Sequence, residues 1–322
     1  MLFRSDLLKT ALTHKSFNKE DNNEKLEFLG DRVIGLIISK YLLTNFSKDN
    51  EGILDKKFAN FADGHFSERG AFLVLGNLMQ LLGTPQMLLS GMQKVVDHLH
   101  SNGVTVIGNP GAMYNPDIQA LKNMVFGNSQ VPIESFFIPS GLNLIENHDI
   151  SIVVDAAEAQ TKWGEGKLSY LPKQIKLFSD GAMYSQNMMM REGYLDGHQG
   201  AWLIHEDVYK DLFKTFWDND YQIHVHQNGD AGLDRVLNVL EKNLKQNPRD
   251  DHRTTIVHFG YAAPDQVKRI KELGAIVSAN PFYVTALSDL YSKKGVGFER
   301  SQEMVRLGDL EKENIKIGRA HV

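Results

Sequence analysis

The stretch Tyr221–Asp230 reads Y-Q-I-H-V-H-Q-N-G-D, an alternating apolar run that ends on histidine and passes at once into Gly-Asp, where a helix begins. Two other segments share this design. Lys173–Gly181 (K-Q-I-K-L-F-S-D-G) sets Lys176 inside an apolar run ahead of Asp-Gly, and Thr254–Gly260 (T-T-I-V-H-F-G) carries a β-branched run to His258. Each is the pattern of a short buried strand with a polar, metal-capable residue at or near its C-terminal end. In a parallel barrel, strand ends on that side supply the functional groups.

Outward from these three segments, strands and helices alternate from about Asp63. Strand patterns fall at 104–108, 133–138, 151–154, 173–178, 221–226, 254–258 and 275–279, with amphipathic helices near 87–100, 206–217, 231–246 and 264–273. Such alternation predicts an α/β fold with a parallel sheet and right-handed crossovers. A doubly wound sheet and a (β/α)8 barrel both satisfy it, and polar residues at the ends of several different strands favour the barrel. His224 and His226 lie two apart, so one strand face carries both. A lone buried histidine is commonly a satisfied core residue. Two on one face, another ending a later strand and a lysine on an earlier one, point to a metal site.

Composition narrows the chemistry. At 322 residues the chain has ample length for a core. Lys and Arg number 35 against 40 Asp and Glu, a net charge of −5, so bulk charge makes no case for nucleic acid or an anionic membrane. There is no cysteine, which excludes disulfides and thiolate ligands and leaves His, Asp, Glu or a modified Lys to hold a metal. The N-terminus lacks a sustained apolar region and no stretch reaches membrane-spanning length, so a cytoplasmic location is expected.

Residues 1–58 read differently, as a short all-helical segment. Ser5 or Asp6 caps a first helix, and a second runs from about Glu24 to Leu43 with Leu26, Leu29, Val33, Ile34, Ile37 and Ile38 on its buried side. Glu27 and Asp31 stand one turn apart on that helix and share a face. Two carboxylates so placed suit a shared Mg²⁺, although spacing alone more often describes a solvated acidic face. The words L-T-H-K-S-F (12–17), N-E-K-L-E-F-L-G-D-R-V (23–33) and E-G-I-L (51–54) closely resemble the start of ribonuclease III. The resemblance implies that Glu27 and Asp31 are Mg²⁺ ligands for cleavage of double-stranded RNA, with Glu24 the nearby acidic position. Asp155-Ala-Ala-Glu158-Ala has the letters of that family's second acidic motif, but lies within the strand–helix region and is read as coincidence.

The second region resembles another family. K-L-F-S-D-G-A, H-V-H-Q-N-G-D-A-G-L-D and I-V-H-F-G, with Y-L-D-G-H-Q-G-A-W at 194–202, are similar to the amidohydrolase superfamily, in the branch of metal-dependent hydrolases related to N-substituted formamide deformylases. The resemblance covers about 63–316. It implies a (β/α)8 TIM-type barrel holding one or two divalent metals, usually zinc, and a small-molecule substrate with an amide, formamide or cyclic C–N bond. Lys176, His226 and His258 match the family's ligands, the lysine being carboxylated in many members. Asp180 and Asp230 match supporting positions.

The departures matter equally. The family's opening H-x-H strand has no counterpart, and His98-Leu-His100 sits at a helix end where i and i+2 point about 200° apart. The family's catalytic aspartate belongs to an eighth strand that the sequence is not expected to form. Ile317–Val322 (I-G-R-A-H-V) instead resembles a translated sequencing adapter. The expectation is therefore an incomplete barrel at 63–316, preceded by a ribonuclease III-like fragment at 1–58 and followed by an adapter-like tail at 317–322. That arrangement describes a chimeric reading frame that hydrolyses neither amides nor double-stranded RNA.

Overall fold

The computed structural model describes residues 83–319, together with two short strands, β1 (Ala59–Asn60) and β2 (His65–Phe66). The chain divides into two compact units, Met1–Leu82 and Gly83–Val322. In the first, β1 and β2 pair antiparallel. The helices expected at 1–58, with Glu24, Glu27 and Asp31, lie outside the described residues.

The second unit is an α/β wall of parallel strands. β3 (Val106–Ala112) pairs with β4 (Glu134–Pro139), whose first half pairs with the short β5 (Leu168–Tyr170). Beyond β5, a bridge from Ser140 to Lys176 carries the wall on to β6 (Gln174–Phe178). β7 (Gln222–Gln227), β8 (Thr255–His258), β9 (Ile276–Ala279) and β10 (Ile317–Arg319) then follow, each parallel to its neighbour. Among the described residues no strand pairing joins β3 to β10, so the curved wall is open: an incomplete TIM-type barrel.

The helices pack where the hydrophobic periodicity places them. α5 (Glu206–Asp218) buries Leu212, Phe213, Phe216 and Trp217, and α6 (Asp230–Gln246) buries Leu233, Val236, Leu237 and Leu240. α7 (Pro264–Glu272) starts with proline at its first position, and Gln266 accepts the Ala263 amide at 2.8 Å to close its first turn. These faces meet Ile175, Leu177, Ile223, Val225, Ile256 and Val277 from the wall in one core. Each large side chain so buried contributes roughly 1.5–3 kcal/mol.

Three expectations need correction. Residues 151–154 are not a strand: Asp149 caps a 3₁₀ turn by accepting the Ser151 amide at 2.9 Å, and the chain runs on into α4 (Val153–Gln160), with Val153 and Ala157 buried four apart. β-branched residues mimicked a strand where a cap and a helical spacing prevailed. β5 has three residues and was too short to show a period. Ile317–Arg319 adds a strand beside β9, with Ile317 opposite Val277, where none was expected. As anticipated, His98 and His100 occupy the last turn of α1 (Pro85–Ser101).

Candidate metal centre

β6 and β7 run side by side with Lys176 opposite His224 and Phe178 opposite His226. Alternation sends Ile175, Leu177, Ile223 and Val225 to the helix side and leaves Lys176, His224 and His226 on the other face. Lys176 is buried, with its Nζ 4.2 Å from the centre of the Phe178 ring. That ring lies 5.5 Å from the His226 imidazole.

His258 arrives by a different route. It has the same parity as Ile256, which is part of the helix-side core, so plain alternation would turn it away from His226. The backbone instead enters the left-handed region at two successive residues, His258 at φ 78° and Phe259 at φ 52°. The imidazole then meets His226 edge-on at 4.7 Å and lies 6.2 Å from the Tyr283 ring, while Phe259 fills the core. Left-handed backbone in a bulky residue costs on the order of 1–3 kcal/mol and persists where its surroundings over-determine it. Here the His258 carbonyl accepts the Asn280 amide at 2.9 Å.

Burial dominates the electrostatics. It pushes the Lys176 ammonium down to about 7, against a smaller opposing pull from Asp180. Burial, and then Lys176, hold His258 down to about 3 and His224 down to about 4. His226 falls well below its usual value through burial, then through His258 and Lys176. At neutral pH the three imidazoles are uncharged, the form in which histidine ligates metals. His258 also has a buried Nδ1 without a hydrogen-bond partner. Two neutral imidazoles in contact, one with an unused nitrogen, and a lysine poised to lose its proton suit a divalent cation. Among the described residues no group of three or more His, Asp or Glu is placed to hold a metal ion.

The carboxylates nearby hold backbone. Asp180 is fully buried and accepts amides from Met189 (2.9 Å), Asn228 (3.0 Å) and Gly229 (2.7 Å), the last two at the start of α6. Its carboxyl lies so near that a Cβ on Gly232 would stand 2.6 Å away. Asp230 accepts the Arg191 and Ala231 amides at 2.8 and 2.9 Å, and burial raises its pKa. Both carboxylates bind backbone of the loop after β6 and of the start of α6. Of the decoy pair, Asp155 lies in the first turn of α4 and Glu158 pairs with Lys173 at 2.6 Å.

Asn228 escaped notice except as one letter of H-Q-N-G-D, yet its side-chain Nδ2 lies 2.9 Å from His226 Nε2. Arg191 was also missed. It binds both oxygens of Asp234 at 2.6 Å and both of Asp265 at 2.9 and 3.1 Å, tying the loop after β6 to α6 and α7.

The structure is an open α/β barrel wall with Lys176 and His226 on successive strands. Residues 44–319 match the amidohydrolase family model, and the chain belongs to that family. Its fold resembles an uncharacterized metal-dependent hydrolase from Pyrococcus furiosus (TM-score 0.59, 21% identity, covering 82% of this chain and 52% of that one). A counterpart from Pyrococcus horikoshii OT3 gives TM-score 0.59 and 18% identity over 80% of this chain and 49% of that one. Separately, 53 residues are 60% identical to Ribonuclease 3 of Pelagibacter ubique, 16% of this chain and 24% of that protein. Ribonuclease 3 of Bdellovibrio bacteriovorus is 45% identical over 94 residues, 27% of this chain and 40% of that protein. The chain thus carries matches to two families and spans about half of each solved relative and a quarter of the first ribonuclease. Among the described residues no helix is long and apolar enough to cross a membrane.

Proposed function

We propose that the second unit derives from a cytoplasmic metal-dependent hydrolase acting on small molecules with amide or formamide-like C–N bonds, with Lys176, His226 and His258 holding a divalent cation, zinc by the chemistry of its donors. The observation that carries this reading is His258, which leaves the strand alternation through a left-handed backbone to place its ring against His226. When bound, such a cation polarises a carbonyl and activates water. The histidines bring neutral nitrogens, Phe178 and Tyr283 limit water around them, and Lys176 can take up or release a proton near neutrality. Because these residues bring no carboxylate to the cation, the reading includes that this chain alone does not turn over amides.

Zinc titration by calorimetry on the full chain tests it. Zinc uptake lost in His226→Ala and in His258→Ala supports the site, and uptake indifferent to both sinks it. Metal-dependent hydrolysis of an N-alkylformamide, abolished in His226→Ala, would overturn the inactivity. A second reading rests on the ribonuclease matches: Glu27 and Asp31 as Mg²⁺ ligands for double-stranded RNA, in a chimeric reading frame. Mg²⁺-dependent cleavage of double-stranded RNA, lost in Asp31→Asn, would establish it over the first.

A further inference from the structure

Asn228 stands behind His226 and has no part in the reading above. It is fully buried, and its backbone is held twice. Its amide donates to Asp180 Oδ1 at 3.0 Å and its carbonyl accepts the Tyr261 amide at 2.6 Å. Gly260 approaches that carbonyl so closely that a Cβ there would stand 2.7 Å from the oxygen. The side chain therefore leaves a clamped backbone, and its amide meets two groups: the Gly181 carbonyl at 3.2 Å and His226 Nε2 at 2.9 Å.

The orientation of that amide follows from its neighbours. A carbonyl oxygen only accepts, so the end of the Asn228 amide facing Gly181 is its NH₂. The reversed amide would set two oxygens against each other. One hydrogen goes to Gly181 and the other to His226, whose Nε2 then accepts. His226 Nε2 also lies 3.4 Å from the Gly181 oxygen, a contact that an Nε2 proton would close and that is longer than the one to Asn228. A neutral imidazole that accepts at Nε2 carries its proton on Nδ1.

We propose that Asn228 is a positioning residue that keeps His226 in the Nδ1-protonated tautomer, with the Gly181 carbonyl fixing the amide in the orientation that does so. The consequence for a cation rests on the reading of His226 as a ligand. With Nε2 engaged and Nδ1 protonated, His226 offers no free lone pair until the Asn228 bond breaks or the proton crosses the ring. His258 has no such restraint, since its Nδ1 is buried without a partner. The two histidines are therefore unequal: His258 is open to a cation, and Asn228 sets the cost of recruiting His226.

The test is the tautomer itself, read from long-range ¹H–¹⁵N correlation spectra of the uniformly labelled, zinc-free full chain at pH 7.5. The His226 signals are those missing in His226→Gln. The expected wild-type pattern is a single tautomer protonated at Nδ1, and Asn228→Leu should give a mixture or the Nε2-protonated form. A wild-type ring protonated at Nε2, or an unchanged pattern in Asn228→Leu, overturns the proposal. Should that variant not fold, the wild-type spectrum alone decides. Zinc titration is the second readout. Losing the competing donor should tighten zinc binding by roughly threefold to tenfold. Weakening by tenfold or more, the usual result of removing a supporting partner of a ligand, overturns it. Zinc affinity unmoved by both Asn228→Leu and His226→Ala, with the expected tautomer, removes His226 from the metal reading and leaves the tautomer assignment standing.

Discussion

His226 and His258 meet edge-on, with ring centroids 4.7 Å apart and planes at 74°, although they come from adjacent strands at positions that alternation would place on opposite faces. The contact exists because two consecutive left-handed residues turn His258 over. Neither ring is placed to accept a charge, since each is desolvated and each feels Lys176.

Acid sensitivity follows from the burial of these rings beside Lys176. In the unfolded chain the imidazoles protonate near 6.5, whereas folded His224 does so at about 4 and His258 at about 3. Between those limits the unfolded state binds more protons, so stability present above pH 6.5 is lost as pH falls towards 3. Urea unfolding at pH 7.5 and 5.5 should differ by about 2–4 kcal/mol, with a smaller difference in His224→Gln. Equal stability at both pH values would show that the rings are not held neutral.

Lys176 acts in the same direction at higher pH, a group retained at a cost to the fold even near neutrality. Its pKa falls from 10.5 to about 7, so between those values only the unfolded chain holds the proton, and stability rises with pH from about 7 towards 10.5. Lys176→Met should stabilise the zinc-free chain at pH 7 by about 1–4 kcal/mol, because an apolar side chain of similar length replaces a buried amine. The melting temperature checks this, and a lower value in Lys176→Met would mean that the amine has a stabilising partner.

Which parts of this arrangement were legible in the sequence depends on the physics that places each residue. Lys176 and His226 sit within regular strands, where a period of two fixes the face, and the amphipathic helices announced themselves by their apolar stripes. His258 could be located at a strand end, but its direction depends on a positive φ that no residue type there signals. Asn228 acts through an amide orientation set by Gly181, a residue far away in the chain, and such a partner is invisible to spacing. The I-S-I-V-V run misled because β-branching outweighed the cap at Asp149. The ribonuclease III-like words were legible as words, while Glu27 and Asp31 lie outside the described residues.

Arg191 should control the loop between β6 and α5. Its guanidinium binds two carboxylates, on α6 and α7, while its backbone amide binds Asp230. The side chain is about a third exposed, so screening limits its worth, and Arg191→Ala should cost about 1–2 kcal/mol. Limited proteolysis should find new cleavage within residues 182–203 in that variant, with α6 and α7 still protected. A digestion pattern identical to the wild type would show that Met188, Met190 and Tyr194, buried beneath the loop, hold it without the arginine.

Asp180 should matter more than Arg191. Three backbone amides converge on its carboxylate, two of them from the buried start of α6, and water cannot replace it because the residue is wholly buried. Asp180→Asn keeps the size but removes the charge, and turns one end of the group into a donor facing amide donors. Each charge-assisted bond weakened costs on the order of 1 kcal/mol, and an opposed donor adds its own desolvation. The expected loss is about 3–5 kcal/mol, read as a shift in the urea midpoint at constant slope. The same variant should loosen Asn228, whose backbone amide is one of the three, and so broaden the His226 ring signals. Asp180→Asn with unchanged stability would mean that α6 keeps its first turn without the carboxylate, and that the Gly229–Gly232 approach to it is a consequence of packing rather than its anchor.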